Sequence, residues 1–266
     1  MAVLLDKLLA IWRRDLLIAL RYRAGFWMPV LALLAEMVAF YYLARAIGPG
    51  FRPEGMDYFS FLLIGTGFYG FFVVGISAFV SAVHDAQISG TMEVLMTTAT
   101  PAPVIIFLTA ASVFLERTLY LALYLGLGLW LFRVPLNLNL WGCVAVFLVS
   151  LAVAVAMGIA AAALQVRLQK GSAVVWLFSS LAWLLTGMTF PVSVLPPWLQ
   201  KLAALIPVTH SLDGLRMAMV KGASWGDLAA PLGALLAFAA LLLPLSLWLF
   251  ARALRRARME GTLSFY

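Results

Sequence analysis

From residue 26 onward the chain alternates long apolar runs with short breaks of glycine, proline and charge. A helix that crosses a bilayer needs about 20 mainly apolar residues. Six runs fit that role, over 26–44, 59–83, 104–132, 140–166, 173–190 and 228–251. The breaks are plain in Gly48-Pro49-Gly50, Pro101-Ala102-Pro103 and Arg167-Leu168-Gln169-Lys170-Gly171, where turn-forming residues or charges interrupt the run. The third run exceeds what a crossing needs, so it must tilt, bend or protrude. Ahead of the first run, Leu5, Leu8, Leu9, Trp12, Leu16 and Leu20 recur at helical spacing, with Asp6, Arg13, Arg14 and Arg21 on other faces. That pattern predicts an amphipathic helix over 1–25 lying in the headgroup plane. It is not a signal peptide: the first apolar run starts near Phe26, carries Glu36 and has no small-residue cleavage site.

Composition agrees. Apolar residues make up 65% of the 266 and charged residues 11%, against about 45–50% and about 25% in soluble proteins. The mean hydropathy is +1.04. Too little polar surface exists to cover a water-soluble ball, which excludes a soluble enzyme. The lone Cys143 excludes a disulfide framework. The net charge of +7 is carried by clusters that flank apolar runs; such clusters suit lipid headgroups rather than nucleic acid. Six crossings put both termini on one side. The segments on that side carry eleven Lys and Arg against six on the other, so the positive-inside rule makes both ends cytoplasmic.

Several motifs carry no chemistry. Gly65-Thr66-Gly67-Phe68-Tyr69-Gly70 matches the dinucleotide fingerprint, but that fingerprint belongs between a strand and a helix. Inside a span, glycines serve close helix packing. No phosphate-binding loop, no nucleophile elbow and no zinc-type pairing of His84 with His210 occurs. The expectation is a non-enzyme with no catalytic, cofactor-binding or metal residues. Ser150, Ala154, Gly158 and Ala162 form a small-residue stripe on the fourth run, suited to close packing within the subunit. Glu36, Glu116 and Arg117 are the ionisable residues inside the runs. Because helix neighbours point about 100° apart, Arg117 is expected to pair with Glu36 across the first and third helices rather than with Glu116.

Two stretches stand out. Residues 84–103 fall on the expected cytoplasmic side yet contain no Lys or Arg, and they mix Met92, Val94, Leu95 and Met96 with polar residues. A short helix fits, with Ser89 or Thr91 as its cap, Glu93 in its first turn and Pro101 as its stop. Its apolar residues need covering, by another protein that docks there or by the lipid surface on which the helix rests. Residues 187–216 are apolar but broken by Pro191, Pro196, Pro197 and Pro207. Interrupted backbone at membrane depth must be buried in protein or line water, which fits short outer re-entrant helices.

Gly90-Thr91-Met92-Glu93-Val94-Leu95 followed by Pro101, then Phe190-Pro191, Leu195-Pro196-Pro197-Trp198-Leu199-Gln200, Pro207-Val208-Thr209 and Arg216, resemble the ABC-2 family of transporter membrane subunits. The likeness covers essentially the whole chain as a single domain, 1–266. It implies an all-α membrane protein of six transmembrane helices with an N-terminal interfacial helix, a cytoplasmic coupling helix in the 84–103 loop, and outer re-entrant helices over 187–216. In function it implies the permease subunit of an ATP-driven exporter in a bacterial-type plasma (inner) membrane. Such a permease pairs with a second copy or paralogue, forms its path at the dimer interface, and works with separate ATP-binding subunits that hold the ATP and magnesium. By this resemblance, Gly90, Thr91, Met92, Glu93, Leu95 and Pro101 contact the ATPase. Phe190, Pro191, Pro196, Pro197, Trp198, Pro207, Thr209 and Arg216 form the outer gate. The wording around the prolines resembles the drug- and lipid-exporting branch more than the polysaccharide branch, and the cargo the likeness implies is a lipophilic compound, drug, lipid or lipid-linked glycan. The alternative is an ion-coupled carrier or channel using Glu36, Glu116 and Arg117.

Overall fold

The computed structural model describes residues 6, 9–10, 12–13, 17, 23–91, 102–134, 137–168 and 171–260. Eight helices run through them: α1 (Arg23–Ile47), α2 (Tyr58–Ile88), α3 (Ala102–Phe132), α4 (Leu140–Leu168), α5 (Gly171–Leu185), α6 (Pro197–Ala204), α7 (Pro207–Val220) and α8 (Trp225–Glu260), with short 3-10 turns at Pro53–Gly55 and Val192–Val194. No strand occurs among the described residues. Much of the interfacial helix expected over 1–25 lies outside them, although the six described residues before Arg23 are helical.

Among the described residues five helices are long and apolar enough to cross a membrane: α1, α2, α3, α4 and α8. Their ends differ from the apolar runs for local reasons. Helix α2 starts where Asp57 accepts the Ser60 amide at 2.9 Å. It runs on to Ile88 rather than stopping near residue 83, and Ser89 closes it by donating from both its amide and hydroxyl to the Asp85 carbonyl. Ser89 is thus the C-terminal cap of α2. At the start of α4, the Asn139 carboxamide accepts the Gly142 amide and donates to the Ala223 carbonyl at 2.7 Å. Helix α8 extends to Glu260, past the expected end at 251, because Arg252, Arg255, Arg256 and Arg258 end an apolar run without ending a helix.

The fifth run behaves differently. Helix α5 has 15 residues, or about 22 Å of rise, and stops at Leu185 instead of 190. Gly187 then takes φ +75, a conformation that side-chain-bearing residues rarely adopt. Beyond it the chain is non-helical up to Pro191.

Helix α2 sits at the centre, packed by α3 and α4 and also touching α1, α5 and α7, while α4 pairs with α8 along their length. In lipid no hydrophobic force draws helices together, so close packing and interhelical hydrogen bonds must do so. Glycines make that possible at several places, two of them around the middle of the bundle. A Cβ on Gly75 of α2 would strike the Phe114 ring of α3, and one on Gly158 of α4 would strike the Phe79 ring of α2. Ser150, Ala154 and Ala162 of the same stripe are fully buried, and the Ser150 hydroxyl donates to Ser211 of α7 at 2.8 Å. The stripe packs inside the chain. By contrast α1 touches the bundle through Leu33 and Met37, which meet Phe59, Leu63 and Tyr124; Trp27, Leu31 and Tyr42 are exposed.

Candidate functional site

Three features converge on α2, one at each end and one beside its middle.

At the Tyr58 end, the segment after α5 is anchored by Arg216 of α7. Its side chain is fully buried, and its guanidinium carbon lies 3.4 Å from the centroid of the Phe61 ring. Nη2 donates to the carbonyls of Phe61 at 3.1 Å and Met188 at 3.2 Å. This approach depends on Gly65, where a Cβ would sit 2.7 Å from Nη2 and collide with the Met188 carbonyl. Tyr58 adds a third tie, donating to the Thr189 carbonyl at 3.0 Å. The glycines of the apparent dinucleotide fingerprint therefore act in packing: Gly65 admits Arg216, and Gly67 lies against Tyr124.

The prolines of the 187–216 stretch set its helix starts. Pro191 is buried ahead of the 3-10 turn, with Phe190 half-buried beside it. Pro196 and Pro197 open α6, with Trp198 64% exposed on its first turn. Pro207 is the buried first residue of α7, where a missing N–H costs nothing. Thr209 donates its hydroxyl to the Ala203 carbonyl at 2.8 Å, joining α7 to α6. The eight residues expected at this end thus lie on one continuous segment, and Arg216 is the one that ties it to α2.

At the other end, Gly90 takes φ +65 with nothing within 4 Å of an added Cβ. Glycine is needed there for backbone conformation, not space. The Thr91 hydroxyl shares a 2.8 Å hydrogen bond with Ser89. Met92, Glu93, Leu95 and Pro101 lie outside the described residues. Just before this turn is a polar cluster that sequence reasoning missed. Gln165 of α4 donates to the Gln87 carboxamide oxygen at 3.0 Å and contacts His84 Nδ1 at 3.2 Å, with both glutamines buried. The available signal was two carboxamides near the ends of otherwise apolar helices. Gln165→Leu is expected to cost about 1–3 kcal/mol, because buried Gln87 loses its donor. The double variant Gln87→Leu/Gln165→Leu should melt closer to wild type than the single one, as thermal melting of the detergent-solubilised chain would show.

Beside the middle of α2, a cavity of about 520 Å³ lies among α1, α2, α3 and α5. Glu36 and Arg117 both line it, with Thr66, Tyr120, Tyr124 and Trp183. They are not within ion-pair distance of each other. Arg117 instead meets Glu116 at 3.8 Å and lies 5.7 Å from the Tyr120 ring centroid. The expected pairing of Arg117 with Glu36 gives way to a neighbour contact, because a long guanidinium arm folds back where Cα directions diverge. The Arg117 Nε is buried without a hydrogen-bond partner. A charge in mid-bilayer costs on the order of 2.5–3.5 kcal/mol on insertion scales, so two opposite charges held apart there call for an explanation. Among the described residues no group of His, Cys, Asp and Glu could hold a metal ion.

No curated protein sequence matches this chain. The family model described as ABC-2 type transporter matches residues 6–220, a range that takes in the Gly90 turn, the proline-broken segment and Arg216. Together with five apolar helices of spanning length, that match shows the chain to be a multi-pass membrane protein belonging to the ABC-2 type transporter family, a permease of ABC-type transport.

Proposed function

We propose that this chain is the permease subunit of an ATP-driven exporter of a lipophilic compound, drug, lipid or lipid-linked glycan. It acts as a dimer with a second copy or paralogue in a bacterial-type inner membrane, with both termini and the Gly90 end cytoplasmic. In this reading α5 and the segment after it together complete a sixth crossing. ATP and magnesium stay on separate ATP-binding subunits. The family's general habit of pairing with such subunits supports that division, as does the lack of a phosphate-binding loop in this sequence.

The observation that carries the reading is the continuity of α2. One unbroken 31-residue helix, about 46 Å long, connects the Gly90 turn to the Arg216 and Tyr58 ties. A push on the loop of Gly90, Thr91, Met92, Glu93, Leu95 and Pro101 moves a rigid rod. The outer segment is hydrogen-bonded to the far end of that rod. Closure of the ATPases therefore reaches the exit through one rigid helix and its Arg216 and Tyr58 ties, and the two α2 helices of a dimer move as levers on either side of the path.

The test is to co-purify the chain with its ATP-binding subunit and measure substrate-stimulated hydrolysis in vesicles. Glu93→Ala and Gly90→Val should leave membrane insertion intact and lower the stimulation by about tenfold, within the usual range of coupling free energies. Unchanged stimulation counts against the coupling role. Ion flux through the chain alone in vesicles would instead favour a carrier or channel using Glu36, Glu116 and Arg117.

A further inference from the structure

We infer that the cavity between α1 and α3 is a binding site for the headgroup of a zwitterionic amphiphile, of the phosphoethanolamine or phosphocholine type. The inference rests on the exporter reading and narrows its substrate class. Three observations carry it.

First, opposite charges face one cavity without neutralising each other. Glu36 lies near the centre of the 25-residue α1, and Arg117 is the central residue of the 31-residue α3. Both line the cavity, yet they are not within ion-pair distance. Among the described residues Arg117 has a single ion-pair contact, at 3.8 Å, to a Glu116 side chain that is itself 60% exposed. Its buried Nε lacks an acceptor. A phosphate supplies acceptor oxygens that the planar fork of a guanidinium can bind two at a time.

Second, the walls suit an ammonium. Tyr120, Tyr124 and Trp183 line the same cavity as Glu36. Aromatic faces beside a carboxylate attract a quaternary or primary ammonium. Among the described residues the Tyr120 hydroxyl meets the Pro29 carbonyl at 3.5 Å, a long contact that a ligand oxygen could replace.

Third, the size and setting fit. About 520 Å³ is within the range of small-molecule sites. The cavity is bounded by α1, which touches the bundle through few residues, and by Trp183, which is 49% exposed. Acyl chains can leave sideways between α1 and α5 while the headgroup stays between the charges. A ligand with one charge would satisfy one wall and leave the other bare. A neutral one would satisfy neither.

The experiment titrates the purified full-length chain in dodecyl maltoside, followed by native mass spectrometry. The probes are dihexanoyl phosphatidylethanolamine, dihexanoyl phosphatidylglycerol, dihexanoylglycerol and the chain-free glycerophosphoethanolamine. The phosphatidylethanolamine is expected to bind at least about tenfold more tightly than dihexanoylglycerol. Glu36→Gln and Arg117→Gln should each weaken it by about tenfold. The anionic phosphatidylglycerol should respond to Arg117→Gln and not to Glu36→Gln. Glycerophosphoethanolamine binding as tightly as the acylated form would indicate a soluble zwitterion and overturn the amphiphile assignment. Equal binding of all three acylated probes, or variants that bind like wild type, would overturn the site. Should a variant fail to fold, the wild-type order decides: zwitterion above both anionic and neutral probes supports the site, and any other order rejects it. The assay needs no ATPase. A chain that binds the zwitterion but never stimulates a partner loses the exporter reading alone, and one that stimulates without this preference loses only the headgroup site.

Discussion

Arg216→Ala is expected to detach the segment between α5 and α7 from α2 and to lower stability by about 3 kcal/mol or more. Two carbonyls, those of Phe61 and Met188, lose a donor, and the volume over the Phe61 ring empties. At about 2–4 °C per kcal/mol, the melting temperature should fall by about 10 °C. Volume is separated from donor loss by Arg216→Met, which fills the space but bonds nothing and should recover only part of the deficit. Arg216→Lys keeps the charge and one donor direction, so it should fall between the wild type and Arg216→Met. Gly65→Ala reaches the same junction from the other side, since its Cβ would collide with the Met188 carbonyl. If Arg216→Ala melts like wild type, Arg216 is not what holds the segment.

The second large effect concerns how α2 is clasped. Gly75 receives the Phe114 ring and Gly158 receives the Phe79 ring, and the two rings lie 6.0 Å apart. Alanine at either glycine overpacks a site with no slack and should cost about 1–3 kcal/mol. Leucine at Gly158 should push α4 away from α2 and prevent a monodisperse folded chain from being recovered. A compensating change separates packing from backbone effects. Gly158→Ala with Phe79→Leu should recover much of the loss, whereas Gly158→Ala with Phe114→Leu should not. Thermal melting of the four proteins in one detergent reads the outcome, and equal rescue by both leucines would break the assigned pairing.

Much of the fold was legible because the first, second, third, fourth and last apolar runs each lie within one helix. What hydropathy misread were the ends. It took the arginines after residue 251 as the end of a helix, although α8 continues through them. It also carried the fifth run to residue 190, although Gly187 turns the chain two residues beyond Leu185. The proline-broken segment was recognisable from its prolines, each of which the structure uses at or beside a turn or helix start. The partners of Arg216 were not legible, since Phe61 lies 155 residues away in sequence and nothing local announces it. Of the glycines at 65, 67 and 70, the first two serve close packing as expected while Gly70 has open space beside it, and no pattern told which neighbour Gly65 or Gly67 admits. The charge arrangement near Arg117 was misjudged because helix-wheel geometry tracks Cα directions, while a guanidinium reaches beyond them.

The shortness of α5 bears on what finishes the crossing proposed for it. Its rise of about 22 Å falls about 8 Å short of a hydrocarbon core about 30 Å thick. In that reading the non-helical residues 186–191 cover the remainder, and backbone outside a helix at membrane depth must bond to protein or to water. The carbonyls of Met188 and Thr189 do so through Arg216 and Tyr58, and because both residues line the Glu36–Arg117 cavity, that cavity is bordered by polar backbone as well as by side chains.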